Sequence, residues 1–436
     1  MASRNYKFVR VSIVAYQKVF RDVFDAIGED APYDDLLKTF FNLSLVYSDT
    51  VPRELEALGN EAHEIILNGE VFQKRWAEEN GVSYDPGNWK KEILLAQLDA
   101  IRPDIIYIMG ITHPEYEVFF ENGFRERIDY VKAVVGYACY IEDVETAKRI
   151  KADCIISCVP EVRAYFIRAG IPTELVYHGF DEAVLDNLER WRVQQGLPSK
   201  PERTCDFSFV GQTGFSDTDA YAGRYWHLVH LLLATDLEVW GWENADWLKG
   251  ANGDEMSREY KNREQVVEMI KRVKQAAEGL PPAVIVEAFK DVLRKLTGHD
   301  APQLALRLLF PERFHDAAHG VEMFNVLACS KITFNRHVGF MLQAACIGNM
   351  RMFEATGVGA CLVNESGVNM RVLFEEDTEI VTYGSPEEAA EKVKYLVDHP
   401  DECRAIAEAG RARTLRDHTT AKRCAEIHEV LANLLD

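Results

Sequence analysis

The sequence predicts an α/β protein built as two doubly wound halves. Apolar runs of strand length, such as "DIIYIMG" and "SKITFN", alternate with segments whose apolar residues recur at helical spacing. The alternation is broken once, by the charged and Pro-containing stretch "NLERWRVQQGLPSKPERTC". At 436 residues the chain is also too long for one ordinary core.

The regular pattern begins near residue 50. "VPRELEALG" reads as a helix closed by Gly59, and "EAHEIIL" as the strand after it. In "WKKEILLAQLDAI" the residues Ile93, Leu94, Leu98 and Ile101 share one helical face, and Pro103 stops the helix. "DIIYIMG" is then a continuous apolar run, as expected of a parallel strand buried on both faces. The strands "KAVVGYAC", "DCIISCV" and "ELVYHGF" follow, separated by helices after Glu142 and over "EVRAYFIRAG". Repeated units of this kind imply a parallel sheet covered by helices.

After the break, "CDFSFVGQTG" reads as a strand ending at Gly211 and Gly214. An apolar helix around "RYWHLVHLLLA" and the strands "LEVWGW", "SKITFN" and "EIVTY" continue the second half. Ser385, Pro386 and Glu388 form a helix start with a capping box. Residues of about 254–309 interrupt the rhythm: they are helical and charged, turn at "GLPP", and read as an inserted helical hairpin. The insertion is either a solvated structural excursion or a surface for a partner, whether a protein, a peripheral membrane contact or an acceptor.

A net charge of -21 argues against a nucleic-acid partner, since phosphate binding needs a basic surface. The nine cysteines are scattered without zinc spacing and read as free thiols of a reducing compartment. No signal peptide or spanning segment is read, so a cytoplasmic location is expected. "DTD" at Asp217 to Asp219 invites a metal reading, but helix capping accounts for it, and no metal is expected.

Together these segments resemble the CgeB-like (spore maturation protein) glycosyltransferases of the GT-B fold. In the first half the pattern lies in "YDDLLKTFFNLSLVYSDTVPRELEALGNEAHEIILNGEVFQKRWAEENG" and "ILLAQLDAIRPDIIYIMG". In the second it lies in "DFSFVGQ", "SKITFNRHVGF", "GNMRMFEATGVGACLV", "EIVTYGSPEEAAEKVKYLVDHP" and "RTLRDHTTAKRCAEI". The resemblance implies two Rossmann-like domains facing across a cleft: an acceptor-side domain over 1–190 and a nucleotide-sugar-binding domain over 203–417. A last helix, 418–436, would return to the first domain.

It also implies site residues. Glu354, placed before the "GVGA" turn, would bind the donor's ribose hydroxyls; a carboxylate suits vicinal hydroxyls because it accepts two protons at once. The alternative is an ion pair with Arg351. Gly357 and Gly359 would stop the helix and admit close backbone. Cys346 stands eight positions earlier, with seven residues between, where many relatives carry a second Glu. Gly348 and Asn349 lie at a helix start, which favours a diphosphate, with Arg351 and Arg336 as cationic partners and Asn335 ending the strand before them. His337 would donate to a phosphate or sugar oxygen, or is an ordinary loop histidine. Gly211 and Gly214 would let backbone approach phosphate, and Arg224 would reach the phosphates or lie on a helix surface. On the acceptor side His113 is the candidate base or hydrogen-bond donor, and His178, Gly179 and Asp181 lie where relatives run a loop near the nucleotide; for both histidines the alternative is simple packing or capping.

The implied activity is sugar transfer from a UDP- or GDP-sugar to a hydroxyl acceptor (glycan, lipid-linked or protein), retaining, without metal or permanently bound cofactor. His113, Arg351 and His337 are the catalytic candidates. Two alternatives are a catalytically quiet GT-B module in surface-polysaccharide assembly and a nucleotide-sugar epimerase.

Overall fold

A computed structural model describes residues 5–14, 18–45, 49–111, 113–120, 123–215, 221–243, 248–249, 263–276, 279–297, 303–337, 339 and 345–435. The chain divides into two compact units, Met1–Asn187 with Asp417–Asp436, and Leu188–Arg416.

The first unit holds a six-stranded, all-parallel sheet. Its strands are β1 (Lys7–Ser12), β2 (Glu61–Ile66), β3 (Ile105–Ile108), β4 (Ala133–Tyr137), β5 (Cys154–Ser157) and β6 (Thr173–Leu175), in the order β2-β1-β3-β4-β5-β6. The helix Trp89–Ile101 lies where its apolar spacing places it, with Ile93, Leu94 and Leu98 fully buried. β1 lies before the region where the sequence reading begins its alternation. It carries a charge into the core: the Arg10 guanidinium is buried and bonds Glu64 of β2 at 2.6 Å, while Ser12 donates to the same carboxylate. Register sets Arg10 directly beside Glu64, so one strand supplies the partner that the other needs.

The last helix, Thr420–Asn433, belongs to this unit and packs on the helix Thr50–Ala57. The chain arrives there by a parallel bridge between Phe180 and Thr419. A Cβ on Gly179 would come within 2.9 Å of the Thr419 carbonyl carbon, so Gly179 lets these two segments cross.

The second unit holds another six-stranded parallel sheet, in the order β11-β8-β7-β12-β13-β14. Here β7 is Cys205–Gln212, β8 Glu238–Trp242, β11 Phe314–His315, β12 Ser330–Asn335, β13 Cys361–Glu365 and β14 Val381–Tyr383. Counted within the unit this is 3-2-1-4-5-6, the Rossmann order, and the chain reverses direction across the sheet between β7 and β12. A short antiparallel pair, β9 (Leu248–Lys249) and β10 (Gln303–Leu304), sits outside this sheet.

The inserted region contributes the helices Arg263–Ala276 and Pro282–Thr297. Phe289 and Leu293 of the second join the same core as Leu228, Leu232 and Phe310. One face of the insertion is therefore core, which a purely solvated excursion would not supply. The Ser385 hydroxyl caps the helix Pro386–Asp398 as expected, accepting from the Glu388 amide at 3.2 Å. Glu388 reaches back one residue further than a capping box requires, to the Gly384 amide at 2.8 Å.

Candidate functional site

Ligands of open α/β sheets bind outside the carboxyl ends of strands, where the strand order reverses. In the second unit that point lies between the ends of β7 and β12, at Gln212 and Asn335. Arg224, from the helix Ala222–Ala234, clasps both ends. Its Nη1 donates to the Gln212 carbonyl at 3.2 Å, and its Nε and Nη2 donate to the Arg336 carbonyl at 3.0 and 2.5 Å. Burial pulls this guanidinium down to about 10, and it remains a cation at neutral pH. Among the described residues no carboxylate pairs with it.

The glycines of this turn serve the clasp. A Cβ on Gly214 would sit 2.2 Å from the Tyr221 carbonyl oxygen, and its φ is +79°. Only glycine lets the strand exit pass so close to the start of the Arg224 helix. Gly211 lies in β7 next to Arg224, its Cβ position 4.0 Å from Nη1.

The far side is built by amide side chains. Asn335 donates to Asn364 at 2.6 Å and to Asn349 at 2.8 Å, and Asn349 donates back to Asn335 at 3.1 Å. Asn349 is the N-cap residue of the helix Met350–Gly357, but its side chain makes no capping hydrogen bond, because Asn335 holds it. His337 is 1% exposed, and its Nε2 accepts from the Gly348 amide at 3.1 Å. That assigns the ring proton to Nδ1, which faces Glu365 at 3.8 Å. His337 thus holds the loop ahead of the helix and reaches a ligand only through the backbone it positions.

Glu365, the last residue of β13, accepts from the His337 amide at 2.8 Å and pairs with Arg336 at 2.8 Å. Burial pushes its carboxyl up, yet the His337 bonds and the Arg336 charge outweigh burial and hold it below the ordinary range. Arg336 also donates to His227 Nε2 at 2.5 Å. Burial and the neighbouring Arg336 bring His227 down to about 4, so it stays neutral.

Arg351 donates to the Val210 carbonyl of β7 at 3.2 Å and pairs with Glu354 Oε2 at 2.9 Å. Glu354 is 7% exposed, and among the described residues no donor is assigned to its Oε1. The ion pair considered as the alternative role for Glu354 therefore exists, and it leaves one oxygen open. Gly359 stops the helix as expected: at φ +82° it follows the C-cap Val358, its amide donates to the Thr356 carbonyl at 2.8 Å, and the Ala360 amide donates to the Ala355 carbonyl at 2.9 Å. A Cβ there would also lie 2.9 Å from Arg203 Nη2, so the close approach it admits is a guanidinium's. Cys346 is buried in the loop before the helix.

Gly211, Gly214, Arg224, Asn335, His337, Gly348, Asn349, Arg351 and Glu354 therefore share the carboxyl side of one sheet. Among the described residues the charge there is three guanidiniums, Arg224, Arg336 and Arg351, against two carboxylates, Glu354 and Glu365. In so acidic a chain this surplus of cations among the described residues is suited to an anion. The sequence reading missed Glu365, Asn364 and His227. Polar "NE" ending the apolar strand "CLVNE" was the available signal.

His113 and His178 belong to the first unit. His113 is exposed, and its Nδ1 accepts from the Glu115 amide at 3.2 Å. His178 Nε2 lies 3.0 Å from the Tyr137 hydroxyl. Asp181 is held by Arg53 and Thr50, both at 2.7 Å. Asp217 to Asp219 lie outside the described residues.

Two such parallel-sheet units make the GT-B architecture, and the chain has that fold. Residues 288–429 match the family model described as Glycosyl transferase-like. No curated protein matches the sequence. Among solved structures the chain is similar to a glycosyltransferase from Rickettsia africae ESF-5, with 12% identity, 99% of each chain covered and a TM-score of 0.51. It is also similar to Anabaena HepE in complex with UDP-glucose, with 13% identity, 98% of this chain and 100% of that one covered, and a TM-score of 0.53. Sucrose-phosphate synthase from Thermosynechococcus elongatus has 10% identity, 99% of each chain covered and a TM-score of 0.54. At these identities the likeness is one of fold. No helix among the described residues is long and apolar enough to cross a membrane.

Proposed function

We propose that the chain is a glycosyltransferase that takes a sugar from a nucleotide-sugar donor and transfers it to a hydroxyl acceptor. One observation carries this: the buried Arg224 cation, which no carboxylate among the described residues pairs, lies at the strand reversal near Arg351, which holds Glu354 with one oxygen open. A diphosphate supplies the missing negative charge, and a ribose hydroxyl suits Glu354 Oε1. The glycosyl transferase-like match and the HepE complex with UDP-glucose support a sugar nucleotide as the ligand.

In this reading Arg224, Arg351 and the amides following Asn349 stabilise the charge that grows on the departing diphosphate. Glu354 anchors the nucleotide away from the reacting carbon. The sugar passes through an oxocarbenium-like state, and the leaving phosphate takes the acceptor's proton on the same face, so configuration is retained. Guanidinium groups supply the positive charge, so no metal is needed. His113 is the acceptor-side group of this proposal. The CgeB-like assignment and a role in polysaccharide, glycolipid or protein-glycan synthesis rest on the sequence pattern in "SKITFNRHVGF" and "GNMRMFEATGVGACLV".

Buried Cys346, at a position acidic in many relatives, favours a second reading: a module that binds donor without turning it over. Incubation with a panel of UDP- and GDP-sugars separates the two. Slow release of free nucleotide from one donor is expected. Donor binding without any release, with acceptor sugars present, would favour the quiet module; no binding of any donor would overturn both.

A further inference from the structure

A second cluster of reactive groups lies in the first unit, at the carboxyl ends of β4 and β5. These strands run in parallel register, with Tyr137 beside Ile156. The Ala138 amide still donates to the Ile156 carbonyl at 3.1 Å, so the ladder continues one step past the strands. The same register sets Cys139 beside Cys158. Neighbouring strands lie about 4.8 Å apart, inside the window of about 4.4–6.8 Å between Cα atoms that a disulfide accepts. Both thiols are free, and their sulfurs are 4.0 Å apart.

Their surroundings favour negative charge on one sulfur. The Tyr137 hydroxyl donates to Cys158 Sγ at 3.2 Å, and His178 Nε2 lies 3.0 Å from the same hydroxyl. Hydrogen bonding from Cys139 holds Cys158 below the usual thiol range against the effect of burial, with His178 and Tyr137 adding to it. Cys139 is raised correspondingly, so the pair shares one proton. Cys158 is buried, and Cys139 is the less enclosed of the two. The two therefore form a proton-sharing pair in which the outer sulfur becomes the thiolate when the proton passes to Cys158. Cys154 and Cys424, by contrast, are pushed by burial up to about 12.

We propose that Cys139 and Cys158 form a peroxide-responsive dithiol that closes reversibly into a disulfide. Hydrogen peroxide meets the Cys139 thiolate, formed when the shared proton passes to Cys158, and the sulfur attacks one peroxide oxygen. The O–O bond breaks, the second oxygen leaves as hydroxide and takes the Cys158 proton to become water, and Cys139 becomes a sulfenic acid. The Cys158 thiolate then attacks that sulfur, forming the S–S bond and expelling hydroxide, which takes a proton from solvent. One thiol, one thiolate, one peroxide and one solvent proton give one disulfide and two waters. Closure draws Cys158 away from the Tyr137 hydroxyl and so changes the Tyr137–His178 contact. The inference stands independently of the donor site in the second unit.

The test uses the reduced full-length chain, treated with near-stoichiometric hydrogen peroxide, denatured, alkylated with N-ethylmaleimide and digested with trypsin. The peptides 133–148 and 152–163 are expected as one linked species, lighter than their sum by two hydrogens, with Cys154 carrying the alkyl group. Dithiothreitol separates them, and two of the nine thiols escape alkylation before reduction. Cys158→Ser should instead accumulate a dimedone-trapped sulfenic acid on Cys139. Recovery of Cys139 and Cys158 both alkylated, after peroxide has oxidised other side chains, would overturn the proposal. So would prior linkage of Cys361 to Cys403, the other pair close enough to share a proton.

Discussion

Glu354→Gln isolates the chemistry assigned to the donor site. The substitution keeps the side chain's volume and removes its charge. Glu354 Oε2 is occupied by Arg351 at 2.9 Å, so a ligand hydroxyl has Oε1 to bind. A hydrogen bond to a charged group contributes about 1.5–3 kcal/mol, and about 2 kcal/mol corresponds to a dissociation constant raised roughly 30-fold. The ion pair adds a separate cost: a partly buried Arg351 loses its counter-charge, which should lower stability by about 1–2 kcal/mol. Calorimetry with ordinary and 2′,3′-dideoxy forms of uridine or guanosine diphosphate separates the two effects. The wild-type protein should prefer the ribose form by roughly 30-fold, and in Glu354→Gln that preference should fall to within about 3-fold. Equal weakening of both ligands would refute the reasoning, because Glu354 would then act only by holding Arg351. An unchanged preference would refute it as well.

Other outcomes follow from the same geometry. Arg224→Met leaves the Gln212 and Arg336 carbonyls without their donor and should cost roughly 3 kcal/mol in urea unfolding, besides weakening diphosphate binding; binding that survives at full strength would remove Arg224 from the site. Gly214→Ala puts a Cβ 2.2 Å from the Tyr221 oxygen at a left-handed φ, so a loss of about 2–3 kcal/mol is expected, and a thermal midpoint equal to wild type would contradict it. His227 has a folded pKa of about 4, below the ordinary value of 6.5. Between those pH values the unfolded chain therefore binds a proton that the folded one does not, and stability falls as pH drops from about 6.5 to 4. After discounting for partial exposure the contribution is about 2 kcal/mol. The wild-type and His227→Gln stability curves should converge above pH 6.5 and separate below it; parallel curves would show that His227 is not held neutral.

The sequence announced those parts of the fold in which local pattern and tertiary environment agree. The helix Trp89–Ile101 and the strand Ser330–Asn335 have their expected bounds, because a buried stripe and a buried run both leave a periodicity. β1 was hidden by Arg10, whose partner Glu64 arrives from a strand more than fifty residues away. β11 has two residues, too few for any period. In the site, Glu354 and the glycines were legible from their order along the chain. The Arg224 clasp was not, since its acceptors are backbone carbonyls, which every residue carries. Glu365 and His227 make contacts across neighbouring strands and loops, and only the register of β12 against β13 brings Glu365 to Arg336.

Two arginines that bond carbonyls at opposite ends of the second sheet explain why a ligand should choose one end. Arg203, before β7, spends all four terminal N–H groups on the carbonyls of Leu327, Ser330, Val358 and Gly359. A cavity of about 400 Å³ opens beside it and Arg411, whose Nε donates to the Gly357 carbonyl, so hydrogen-bonding capacity alone does not exclude an anion there. Among the described residues Arg224, at the carboxyl end, uses three of its five donors. It lies near Arg351 in the first turn of the helix Met350–Gly357, whose starting amides add positive potential, and Arg351 in turn holds Glu354 with one oxygen open. The strand reversal, where cations, a helix start and a carboxylate oxygen meet, rather than cavity size, should therefore fix the ligand's place. A nucleoside diphosphate found against Arg411 in soaked crystals, with Arg224 untouched, would show that size had decided instead.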